Sequence, residues 1–88
     1  MRTFIHHCDP GHGWLQVHIA DLAPVGLSVA SFTKYSYCCE DYLFLEEDED
    51  AGRFLSAYEA THGARPAIVE KYTPGQSEVR CYTRLRAA

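Results

Sequence analysis

Leu43–Tyr58, LFLEEDEDAGRFLSAY, changes its hydrophobic period halfway along, and that change decides the fold class. On its upstream side Tyr42-Leu43-Phe44-Leu45 is a short apolar run of strand length. On its downstream side Ala51, Phe54, Leu55 and Tyr58 recur at the i, i+3, i+4, i+7 spacing that lines one face of a helix. Five consecutive acids, Glu46, Glu47, Asp48, Glu49 and Asp50, join the two. The stretch therefore reads as a strand over Tyr42–Glu47 passing into a helix from about Asp50 to Thr61, which ends at His62-Gly63. Asp48 or Asp50 is the expected N-cap, because a short carboxylate can accept from the free N–H groups of the first turn. Parity puts Glu46 and Glu47 on opposite faces, with Glu47 in step with Leu43 and Leu45 at a rim that water reaches.

Working outward, Ser31–Tyr37 predicts a strand that hairpins onto Tyr42–Glu47 through CCED, its aromatics alternating. Upstream, Arg2–Cys8 predicts a strand with Phe4, His6 and Cys8 facing away from Thr3, Ile5 and His7. The turn DPGHG (Asp9–Gly13) leads into a second strand over Trp14–Val17, with Leu15, Val17 and Ile19 toward the core. HIADLAPVG (His18–Gly26) suits a short helix limited by Pro24. Downstream, Ala67–Tyr72 and Glu78–Leu85 predict a last pair of strands joined by TPGQS. The order is ββαββαββ: an α+β domain with a small antiparallel sheet and two helices, residues 1–88 forming a single unit.

The 88 residues suffice for one core only. A hydrophobic content of 47%, with ten aromatics besides Trp14, argues against disorder. The net charge of −4 would repel nucleic acid and anionic lipid, so direct binding to either is not expected. The start, MRTFIHHCDPGHGW, lacks the apolar segment of a secretory signal, and no run approaches the roughly 18 apolar residues of a membrane span. The expected location is cytoplasmic. There Cys8, Cys38, Cys39 and Cys81 would be reduced thiols rather than a disulfide framework.

DPGHGWLQV (Asp9–Val17), YSY (Tyr35–Tyr37) and LFLEEDEDAGRFLSAY, followed by SEVRCYTRL, occur here in an order and spacing that resembles a group of small proteins encoded by bacteriophages and other mobile elements. The resemblance covers most of the chain and implies an origin in a bacterial virus or plasmid rather than a chemistry. Small proteins of that source include antagonists of host defence, anti-CRISPR proteins among them.

Between Glu40 and Asp50 lie seven of the twelve acids and no Lys or Arg. Helix capping accounts for two or three of them. The remainder suggests an anionic surface for a partner, made by Glu40, Asp41, Glu46, Glu47, Asp48, Glu49 and Asp50, and His12, at an exposed loop tip with Trp14 behind it, is a further candidate contact. Such a surface could mimic the DNA backbone toward a host protein, most naturally a CRISPR effector subunit. The competing expectation is a structural or regulatory homodimer, paired edge to edge through its last strand, in which the acids only cap a helix. Asp48, Asp50 and Gly52 imitate part of a calcium loop but lack its twelfth-position glutamate. His6, Cys8 and His12 form H-x-C-x3-H, without the spacings of structural zinc sites, so neither a metal nor another cofactor is expected. Cys8 or Cys38 could meet His7, His12 or His62, but no nucleophile turn or oxyanion donors mark a catalytic site, and a non-enzymatic protein is expected. Arg80, Tyr82, Arg84 and Arg86 form a basic-aromatic strip that could pair with the acids.

Overall fold

In the computed structural model, which describes residues 2–85, six strands and one α-helix follow the chain. The strands are β1 (Thr3–Cys8), β2 (Gly13–His18), β3 (Tyr37–Cys39), β4 (Tyr42–Glu46), β5 (Ala67–Tyr72) and β6 (Thr83–Arg84), and the helix α1 is Asp50–His62. They form one sheet in the order β5-β1-β2-β4-β3-β6. Every pairing is antiparallel except β1 with β5, which run parallel in the register His6↔Glu70. The sheet is thus mixed rather than wholly antiparallel, within the α+β class. The parallel pair arises because α1 serves as the crossover from β4 to the far edge, which a tight turn cannot do.

The two faces of the sheet carry two separate cores. On one, Phe4, Leu15, Val17, Leu43 and Leu45 are buried against Ala51 and Phe54 of α1 and against Leu22 and Phe32. Phe4 meets Phe54 edge-on with ring centroids 5.3 Å apart. On the opposite face Trp14, Phe44 and Val79 form a smaller buried cluster, flanked by Tyr37, Cys39 and Tyr82.

Three expected elements and one expected turn differ. His18–Gly26 forms two short 3₁₀ turns, Ile19–Asp21 and Ala23–Val25, because the His18 and Asp21 side chains close a box on the first and Pro24 stops propagation. Gly26, at φ 79°, ends them. Consequently Ile19 leaves the strand and is 47% exposed rather than in the core. Ser31–Tyr37 is not a strand: residues 33–36 loop toward α1, drawn by Asp50, and β3 is only Tyr37–Cys39. Glu78–Leu85 is a 3₁₀ turn, Glu78–Cys81, capped by the Ser77 hydroxyl, followed by the two-residue β6. β6 pairs with β3, so TPGQS is no hairpin turn between β5 and β6.

Candidate functional site

The open face of the sheet holds a cleft of about 500 Å³. Its aromatic surface comes from Trp14 on β2, Tyr37 on β3 and Tyr35 in the preceding loop. Glu46, Asp48 and Glu49 supply carboxylates from the β4–α1 junction, and His12 reaches in from the β1–β2 turn. Arg80 and Arg84 complete it. In the strand register Trp14 lies opposite Glu46, which brings that carboxylate onto the aromatic face.

Asp9 organises one side of this arrangement. Its carboxylate accepts from the backbone N–H groups of Gly11 and His12, each at 3.0 Å, and of Ser77 at 2.9 Å. Arg80 donates to it through Nε and Nη2 at 2.7 and 2.8 Å, a bidentate pair. The Arg80 guanidinium beside it, joined by those N–H donors, holds the Asp9 carboxyl far below the usual carboxylate range. The pair fixes the His12 turn against the Ser77–Arg80 segment and lays the Arg80 guanidinium 5.3 Å from the Trp14 ring centre. Arg84 lies 5.1 Å from the Tyr37 ring centre and donates to the Lys34 carbonyl.

On the acidic side, burial pushes the Glu46 carboxyl up, aided by the neighbouring Asp48 charge and opposed by the Asp48 and Glu49 backbone N–H groups. Asp48 and Glu49 are exposed. Since Asp9 already neutralises Arg80, the three carboxylates are matched in the cleft lining by Arg84, which pairs with no carboxylate among the described residues, and the cleft carries excess negative charge.

Of the eight residues expected to bind a partner, His12, Glu46, Asp48 and Glu49 converge on this cleft. Glu47 is exposed at the rim, as parity implied, but faces the opposite side, where its Oε2 lies 3.9 Å from His6 Nε2. Glu40 and Asp41 occupy the β3–β4 turn, with Glu40 at φ 53°, separated from Glu47 by about 20 Å of strand. Asp50 is wholly buried and points inward. Neither Asp48 nor Asp50 is the helix N-cap: that position is Glu49, whose side chain makes no capping bond. Asp50 sits one residue inside α1, and its Oδ2 accepts from Thr33 N–H, Thr33 Oγ1 and Ser36 Oγ. Turned into the core, it also leaves the partial calcium pattern unassembled.

The basic strip pairs differently from expectation, Arg80 binding Asp9 rather than the acids at the helix start; Arg86 lies outside the described residues. His12 departs from His6 and Cys8, which remain on the other face beside Glu70. His7 bonds Gln16 at 2.6 Å, and His62 stacks on Tyr58. Tyr35, Tyr37 and Arg84 were not foreseen as site residues, although the alternating aromatics and the basic strip both announced themselves in the sequence. No family model, curated protein or solved structure matches the chain.

Proposed function

We propose that the chain is a non-enzymatic binding module that takes a basic side chain of a partner protein into the cleft on its open sheet face. The observation that carries this reading is the convergence of His12, Glu46, Asp48 and Glu49 beside Trp14, Tyr35 and Tyr37. A Lys or Arg head entering there would gain charge-assisted hydrogen bonds from the carboxylates. The exposed Asp48 and Glu49 would steer a basic surface toward the cleft mouth, giving association that weakens with salt.

The resemblance to phage-encoded proteins directs the choice of partner to a bacterial host protein in the cytoplasm. A CRISPR effector with a Lys/Arg-lined DNA groove fits this charge. The chain would then be an inhibitor in which Asp48 and Glu49 stand in for phosphates. Glu40 and Asp41 would form a second anionic point along β4. Co-purification with candidate host effectors, using wild type and the double variant Asp48→Lys/Glu49→Lys, tests this. Both positions are exposed, so the fold should survive. Loss of the complex in the variant is the expected result; an equally retained effector would remove the acidic mouth from the mechanism.

A further inference from the structure

The parallel register of β1 with β5 sets Glu70 beside His6, on the sheet face opposite the cleft, with Cys8 two residues along. His6 Nδ1 lies 2.7 Å from Glu70 Oε1 and 3.4 Å from Oε2, and Cys8 Sγ lies 3.8 Å from the same Oε2. One ligand atom from each residue falls within 4.8 Å of the other two. Zinc bonds of about 2.0–2.2 Å to imidazole nitrogen and carboxylate oxygen, and about 2.3 Å to thiolate, place tetrahedral donors roughly 3.3–3.7 Å apart. The Nδ1–Oε2 and Sγ–Oε2 separations already approach that spacing, and the third pair lies within 4.8 Å.

Two further features point the same way. The other ring nitrogen of His6, Nε2, faces Glu47 Oε2 at 3.9 Å. Shortened to hydrogen-bond length on metal binding, that contact would become the carboxylate–histidine relation which orients a metal-bound imidazole and raises its basicity. Beneath the ring lies Gly13, where a Cβ would come 2.5 Å from His6 Cε1 and 2.8 Å from Glu47 Oε2. A glycine at this position is what lets the ring and the second carboxylate share the space.

We propose that His6 Nδ1, Cys8 Sγ and the Glu70 carboxylate bind one Zn²⁺, with Glu47 as a positioning residue for His6 and water in the fourth place. The mixed N, S and O donor set suits zinc, which takes all three. On binding, the Cys8 S–H bond is exchanged for a Zn–S bond and its proton passes to solvent, while the proton between His6 Nδ1 and Glu70 is given up and the neutral ring keeps its proton on Nε2, toward Glu47. The site shares no residue with the cleft and stands independently of the proposed function.

Calorimetric titration of chelator-treated protein with Zn²⁺ at neutral pH tests it, with Co²⁺ substitution as a spectroscopic report of a metal–thiolate bond. Wild type is expected to bind one ion per chain and to show the thiolate charge-transfer band. Cys8→Ser should remove the band. Glu47→Gln should weaken binding by about 10–100-fold. Glu70→Gln, at an exposed position that spares the fold, should weaken it by more than Glu47→Gln does. The triple variant Cys38→Ser/Cys39→Ser/Cys81→Ser should bind as wild type does. If wild type takes up no stoichiometric zinc, or if Cys8→Ser and Glu70→Gln bind it unchanged, the trio is only an ion pair across the β1–β5 edge.

Discussion

Asp50 has no solvent exposure, and three donors from Thr33 and Ser36 reach a single one of its oxygens. Its other oxygen, Oδ1, is buried with no hydrogen-bond partner among the described residues. Asp50→Ala should therefore cost about 2–4 kcal/mol in urea melts, because it strands buried donors on the 33–36 loop. Asp50→Asn should cost clearly less, since its amide oxygen can keep those donors. Glu46 behaves in the opposite way. Its carboxyl is pushed up by burial, so its charge opposes folding once pH exceeds that raised value. Glu46→Gln should stay within about 0.5 kcal/mol of wild type at neutral pH. Asp9 is depressed in the folded protein, so its contribution is full above the unfolded pKa of about 3.9 and is lost as pH falls toward the lower folded value. An acid titration of Asp9→Asn beside wild type should show a stability gap at neutral pH that narrows steadily below about pH 4.

A glycine inside α1 and the one that caps it predict opposite outcomes for the same substitution. Around Gly52 a Cβ meets nothing within 4 Å, so Gly52→Ala should add about 0.5 kcal/mol through lower unfolded-state entropy. Gly63 closes the helix at φ 81°, so Gly63→Ala should remove about 1 kcal/mol. Thermal melts of the two variants check both. That helix was legible to within a residue because its stripe of Ala51, Phe54, Leu55 and Tyr58 is local, and so were the bounds of β5, though not its partner, which is β1 rather than the last strand. The 78–85 segment was not. Its alternation is real, but Asp9 holds Ser77 and Arg80 from almost seventy residues upstream and bends the chain so that Val79 caps Trp14 and Phe44. Ser31–Tyr37 failed for the same reason, since the buried acid that captures Thr33 and Ser36 reads locally as a helix cap. Local periodicity carries no trace of such long-range polar anchors.

At the scale of the whole molecule, the sheet separates a helix-covered core from an open face that carries the cleft. The acids that looked like one block are divided by this arrangement among a turn, a rim, a cleft and the core. Only the part that reaches Trp14 joins His12. The sheet ends in two edges, β5 and β6. The short β6 offers two residues, whereas β5 exposes Ile68, Val69 and Tyr72. Among the described helices none is long and apolar enough to cross a membrane. Trp14 is the single tryptophan and lines the cleft, so its emission reports on anything that enters. The most direct measurement is titration of Trp14 fluorescence with an arginine-rich peptide at low and at high ionic strength, in wild type and in Asp48→Lys/Glu49→Lys. A saturable change that weakens with salt and disappears in the charge-reversed protein is the predicted result. Emission that does not respond, or that responds equally in both proteins, would contradict an acidic cleft built to receive a basic side chain.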